Sequence, residues 1–374
     1  MLRRDAAWVG AFQVLVLAGT GACSVGGDET ACNDCVAELE PVLLLGDHEG
    51  PGMFESVLAR VVALPDGRFL AYDWQDAGRL RVHAAGGEYL ESFGRDGSGP
   101  GEYRNAGVFF YRRWDDRIVV LDDRLARMTL VAPRDYQPSA VHSLPAFFAI
   151  SSGIPLPDGR VVLNAISYTE SSLGLPLHLL DASGSRVRSF GADPIILGEW
   201  DAGVFSRKLA LARNGSVWSA PLNRYVIEQW DTAGKLVRRF QRTVEWFPDV
   251  EEVNRLPNGP DDPPTAHMAG LWEDDGGRLW VVVNVPVTDW IEYLETYIRH
   301  DGVERYRIAT FPEAVYRARI EVLSSETGEL LAAGEGPLGV ASVIQGGYAV
   351  TPVLVQDEPH LQIWRLGLRE REGG

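Results

Sequence analysis

From about residue 41 onward the chain alternates short apolar runs with polar, glycine-centred turns, and no long stretch carries the 3.6-residue period of an amphipathic helix. Arg79-Leu80-Arg81-Val82-His83 alternates with period two, the pattern of a strand with one buried face. Leu279-Trp280-Val281-Val282-Val283 is continuously apolar between Gly276-Gly277 and Asn284, which predicts a central strand buried on both faces. Leu64-Pro65-Asp66-Gly67-Arg68 returns as Leu156-Pro157-Asp158-Gly159-Arg160, with looser copies at Arg213-Asn214-Gly215-Ser216 and Asp275-Gly276-Gly277-Arg278. Asp-Gly and Asn-Gly supply the positive φ angles that tight hairpins need. A second series of turns marks a later hairpin: Ala85-Gly86-Gly87, Ala182-Ser183-Gly184, Thr232-Ala233-Gly234 and Glu326-Thr327-Gly328.

These turns delimit six units, at about 56–93, 106–144, 149–190, 205–240, 268–333 and 340–368. The second uses Asp115-Asp116 as its hairpin turn, and the fifth carries an insertion over roughly 286–316. The sixth supplies only three strands. A phrase used twice suggests where its fourth strand lies. Leu43 to Phe54 reads LLLGDHEGPGMF, and Glu91 to Tyr103 reads ESFGRDGSGPGEY. The second copy ends a complete unit, whereas the first stands alone near the N-terminus. Pro41 to Gly46 is therefore expected to complete the last unit. Four-stranded repeats around an axis are β-propellers, and exchange of a strand between the termini closes the ring. The predicted fold is all-β, a six-bladed β-propeller over 41–374 closed by the N-terminal strand in the last blade.

The first 22 residues carry an export signal. Arg3 and Arg4 give a positive start, Ala6 to Leu17 is mostly apolar, and small residues lead to Ala22 and Cys23. The Gly21-Ala22-Cys23 ending resembles the lipobox of bacterial lipoproteins. That resemblance implies cleavage behind Ala22, lipid on Cys23, a tether over 23–40, and anchoring of an exported protein in the periplasm or at the outer membrane. Thr20 stands where the lipobox prefers Leu, which leaves ordinary signal cleavage open. Cys32 and Cys35 form a C-x-x-C in a small, acidic stretch and are expected to close a local disulfide in an oxidising compartment. Val36 stands where haem attachment needs His, and no second cysteine pair exists for zinc.

The 374 residues carry a formal charge of −17. Nucleic-acid backbones, which need clustered Lys and Arg, are excluded as partners, and contact with a membrane is expected through the lipid anchor only.

The Asp-Gly turn, the Ala71-Tyr72-Asp73 strand ending, the later Gly turn and the Gly-Pro-Gly-Glu-Tyr phrase together resemble the NHL-type propellers, and more closely the exported bacterial lipoproteins built on that ring. The resemblance covers about 41–368. It implies a binding platform and no single activity.

Ring closure would bring the loops entering each inner strand to the mouth of a central channel. The candidate ligand residues there are Glu55, Arg104, Asn105, Arg207 and His267, walled by Phe54 and Tyr103. Arg104 and Arg207 would offer positive charge to a carboxylate or a peptide C-terminus. The plainer reading is that both are salt-bridged to acidic neighbours across blades. The expected partner is an envelope protein, a peptide or a small molecule. The seven histidines are scattered without H-E-x-x-H or H-x-H spacing, no G-x-S-x-G is present, and Gly97-Ser98-Gly99-Pro100 lacks the Lys of a phosphate loop. No catalytic residue and no cofactor is assigned. Asp122-Asp123 and Asp261-Asp262 are acidic pairs that calcium would favour, but neither has the alternating oxygen-ligand spacing of a calcium loop. The alternative is a metal-dependent hydrolase similar to the lactonase and gluconolactonase propellers, with Glu55, Asn105 and either Asn164 or Asn223 as ligands.

Overall fold

The computed structural model describes residues 35–371 apart from 57–58, 77, 148, 168–173, 192–204, 251–252, 254–256, 258, 299–303 and 309–310. The expected export signal over residues 1–22, Cys23 and Cys32 lie outside the described residues.

The hairpin turns fold the chain into successive antiparallel sheets. β1 is Cys35–Leu45. The first four-stranded sheet holds β2 (Ala59–Ala63), β3 (Phe69–Asp73), β4 (Leu80–His83) and β5 (Tyr89–Phe93). A two-stranded parallel ladder, β6 (Arg95–Asp96) with β7 (Glu102–Tyr103), lies in the linker that follows. The next sheet holds β8 (Val108–Arg112), β9 (Arg117–Asp122), β10 (Arg127–Val131) and β11 (Pro138–Ser143). After it comes β12 (Ala149–Pro155), β13 (Val161–Ile166), β14 (Leu177–Leu180) and β15 (Arg186–Phe190). The fourth holds β16 (Arg207–Leu211), β17 (Val217–Pro221), β18 (Val226–Trp230) and β19 (Leu236–Gln241).

The remaining strands form one eight-stranded sheet. Its first half is β20 (His267–Glu273), β21 (Arg278–Pro286), β24 (Tyr316–Ser324) and β25 (Leu330–Glu335). Between β21 and β24 the chain inserts the hairpin β22 (Leu294–Ile298) and β23 (Glu304–Ile308), flanked by single 3-10 turns at Trp290–Tyr293 and Pro312–Val315. The other half is β26 (Ser342–Ile344), β27 (Tyr348–Val355), β28 (Glu358–Glu370) and β1. The halves touch through one parallel pairing, Val36 with Ala333.

The N-terminal strand sits where the repeated phrase placed it. Leu43 pairs with Ile363, Leu44 with Gln362 and Leu45 with Leu361. The strand starts earlier than expected, at Cys35, so residues 35–40 belong to the sheet and not to a tether. The reason is a period-two pattern: Cys35 and Ala37 are buried, while Glu38 turns out to meet Arg369 at 2.8 Å. Cys35 is disulfide-bonded, and its partner lies outside the described residues.

Each first strand lies beside the next: β2 by β8, β8 by β12, β12 by β16, β16 by β20, β20 by β26, and β26 by β2 again. This circuit, with meander sheets radiating from it, is a β-propeller. The core lies between consecutive sheets. Leu70, Val82, Phe109 and Val120 pack between the first two, and Trp218, Ile227, Leu279 and Val281 between the fourth and fifth. Leu45, Phe69, Val350 and Ile363 close the ring. Each such side chain contributes about 1.5–3 kcal/mol through burial.

The repeated Gly-Pro-Gly phrase is a strap between sheets. Phe54 and Tyr103, its terminal aromatics, are buried beneath the guanidinium groups of Arg81 (5.3 Å) and Arg127 (6.0 Å). Arg81 Nε donates to the Pro51 carbonyl at 3.1 Å, and Arg127 Nη1 to that of Ser98 at 3.0 Å. Gly94 has φ +80°, and a Cβ there would lie 2.9 Å from the Tyr103 ring. Phe54 and Tyr103 are therefore core residues and not walls of the mouth.

Candidate functional site at the channel mouth

Because each sheet is an antiparallel meander, the linkers between sheets share one face with the turns joining second to third strands. Buried Asp and Asn side chains at or near the ends of second strands hold this face together. Asp73 Oδ2 accepts the N–H groups of Glu55 (2.7 Å) and Ser56 (2.9 Å), and its Oδ1 accepts that of Gln75. Asp122 repeats the device with Arg104 (2.7 Å), Asn105 (3.2 Å) and Leu125 (3.0 Å). Asn164 Oδ1 accepts the Arg207 N–H at 2.9 Å, and its Nδ2 donates to the Phe205 carbonyl. Asn284 clasps both the N–H and the carbonyl of Val340. Each pin satisfies linker groups that would otherwise be buried without partners.

The five sequence-predicted residues divide into two groups. Glu55 and Arg104 are exposed on the linker face, Arg104 beside Asp96 at 3.6 Å. Asn105 is half-buried on the same linker; its Nδ2 donates to Asp123 at 2.8 Å and its Oδ1 accepts the Gly107 N–H. Arg207 and His267 are buried inside sheets. Arg207 Nη1 meets Glu228 Oε2 at 3.0 Å and Ser219 Oγ at 3.4 Å. Burial lowers its pKa, and the Glu228 charge opposes that shift. His267 Nε2 lies 3.2 Å from Asn284 Nδ2 and its ring meets Tyr316 edge-on at 4.8 Å. The acidic partner of Arg207 is Glu228 on β18 of the same sheet, not one across blades: as the first residue of an inner strand, Arg207 turns into its own sheet.

The sequence did not single out Arg60. It stands on inner strand β2, and Nη1 donates to the Ser151 carbonyl on β12 at 3.1 Å. β12 lies two sheets further round the ring, so this bond crosses the opening. Arg60 is exposed, and protein groups crowd around it. That crowding lowers its pKa, opposed by the charge of Asp123; an arginine remains a cation regardless. Asp123 itself holds Asn105 and, at 3.4 Å, the Ile150 N–H. The mouth thus brings together Arg60, Asn105, Asp123 and Ser151.

Several of the polar groups near the mouth are already engaged by protein partners. All four carboxylate oxygens of Asp122 and Asp123 already accept N–H donors. Asn164 spends its oxygen on Arg207 and Ser151 and its nitrogen on Pro176 and Phe205. Among the described residues no three His, Cys, Asp or Glu side chains cluster as a metal site.

Solved structures share the β-propeller architecture. A candidate exported protein of Bacteroides fragilis is 14% identical, with a TM-score of 0.57 over 92% of this chain and 98% of that one. A member of the DUF4221 family from Bacteroides vulgatus is 9% identical, with a TM-score of 0.58 over 91% and 99%. At such identities the likeness extends to the fold alone. No protein-family model matches the chain, and no curated protein resembles it in sequence.

Proposed function

We propose that this protein is a non-catalytic binding propeller of the bacterial cell envelope, taking a carboxylate-bearing small ligand or peptide end at the channel mouth. The observation that carries this reading is Arg60, a cation reaching across the opening with a single hydrogen bond among the described residues. Arg104 and Glu55 extend the polar surface on the same face. Buried Asp73 and Asp122 fix the linkers carrying Glu55, Arg104 and Asn105, so little conformational freedom would be lost on binding.

The ring reads as six NHL-like blades, supported by the circuit of first strands and by apolar clusters between consecutive sheets. The Arg-rich start, apolar run and Gly21-Ala22-Cys23 ending support export and lipid attachment at Cys23. Mass spectrometry of the native N-terminus tests the anchor. For binding, a thermal-shift panel of dicarboxylates and short peptides is compared between wild type and Arg60→Gln. Stabilisation by a carboxylate that disappears in the variant supports the mouth; equal stabilisation of both proteins rejects Arg60 as the anchor.

A further inference from the structure

A second cleft, of about 370 Å³, opens on the linker face and shares no residue with the channel mouth. It is lined by Val285, Arg317, Arg319 and Glu335 from β21, β24 and β25, by Val287 and Asp289 from the segment after β21, and by Trp246 from the linker before β20. The volume falls within the range of small-molecule sites, about 300–1,000 Å³.

The walls are fixed before any ligand arrives. Trp246 stacks on Phe247, with ring centroids 6.3 Å apart, and leans on Tyr225 at 5.9 Å. Its indole carries the Arg319 guanidinium at 4.7 Å, and Arg319 meets Glu335 at 3.2 Å. Tyr225 is anchored in turn by a hydrogen bond to buried Glu321. Arg319 and Glu335 neutralise each other, which leaves one charge of each sign. Arg317 and Asp289 are both exposed, and neither side chain has a hydrogen bond or ion pair among the described residues. Asp289 occupies the N-cap position of the 3-10 turn at Trp290–Tyr293 but makes no capping bond. Arg317 pairs through its backbone with Val285, and the Val287 N–H bonds the Val315 carbonyl, so both charges line the same cleft as the apolar Val285 and Val287.

We propose that this cleft binds a zwitterion of amino-acid to dipeptide size, its carboxylate on Arg317, its ammonium on Asp289 and its apolar part against Trp246 and Val285–Val287. A bidentate Arg–carboxylate pair sets the orientation, and the opposite charge rejects ligands lacking an ammonium group.

The test is calorimetric titration of the full chain with L-phenylalanine, the dipeptide Gly-Phe, N-acetyl-L-phenylalanine and L-phenylalaninamide. Saturable binding of phenylalanine or Gly-Phe is expected, with each blocked derivative about tenfold weaker than phenylalanine or more. Arg317→Gln should bind phenylalanine no better than the amide, and Asp289→Asn no better than the acetylated form. Both residues are exposed and make no side-chain bond among the described residues, so circular dichroism should report intact folds. Loss of phenylalanine binding in Arg317→Gln and Asp289→Asn supports this cleft, whereas loss confined to Arg60→Gln places the ligand at the mouth and overturns the proposal. Absence of saturable binding by both zwitterions overturns the proposal. Equal affinity for blocked and free forms, or unchanged affinity in both variants, overturns it as well.

Discussion

Replacing Arg207 by Met should destabilise the ring without any ligand being involved. Arg207 and Glu228 are 4% and 6% exposed and meet at 3.0 Å. Removing one partner of a buried pair typically costs about 3–5 kcal/mol, because the other charge is left uncompensated. Here Glu228 keeps the Trp230 indole N–H at 3.3 Å and the half-exposed Arg239 at 3.8 Å. The loss should therefore fall near the lower end, about 3 kcal/mol. With a urea slope of roughly 3 kcal/mol per molar, the unfolding midpoint drops by about 1 M. Urea unfolding followed by circular dichroism measures it. Arg207→Met combined with Glu228→Gln removes both charges and should recover most of the loss, giving a coupling energy in a double-mutant cycle. A single Arg207→Met variant within about 0.5 kcal/mol of wild type would refute the reasoning, since that is the range of unimportant surface changes.

Acidification should weaken the fold through His178, whose pKa burial pushes down to about 4. Its Nδ1 lies 2.7 Å from Ser189 Oγ and its Nε2 2.9 Å from the Ala165 carbonyl, so the folded state holds the neutral ring. The unfolded chain binds the proton more readily, so stability is present above about pH 6.5 and falls as pH drops towards 4, by up to about 3 kcal/mol; His178→Gln should flatten that slope in pH-dependent unfolding. Gly94→Ala should cost about 2 kcal/mol or more by thermal unfolding, since a Cβ meets the Gly78 carbonyl oxygen at 2.5 Å and the positive φ adds strain. Deleting residues 35–45 bares the edges of β28 and β25 and should give aggregation by light scattering; a soluble, equally stable deletion would contradict strand closure.

The ring was legible because its signals are local. Asp-Gly turns need positive φ, and Gly67 and Gly159 have it at +87° and +86°. The orphan Gly-Pro-Gly phrase revealed the closing strand because Gly46 and Gly94 both make room for an aromatic ring. The start of that strand was missed because Cys35 to Glu40 is acidic and short of large apolar residues, although its alternation was present. The mouth was legible only in part. Position at the entry of an inner strand singled out Asn105, which lies beside Asp123 on its linker, but position alone does not say which way a side chain turns, and Arg207 turns into its sheet. Arg60 lies on an ordinary alternating strand, so its reach across the channel depends on where β12 ends up. The pins had a signal in Tyr72-Asp73 and Leu121-Asp122, an acidic residue closing an apolar strand.

The most direct test of mouth binding is an experimental structure of the protein purified with its natural ligand from its own envelope fraction, with native mass spectrometry establishing that a small molecule is bound. The account predicts ligand density in the channel opening with an anionic group within hydrogen-bonding distance of Arg60. A ligand detected by mass but located away from Arg60, with the channel mouth holding only water, would contradict it.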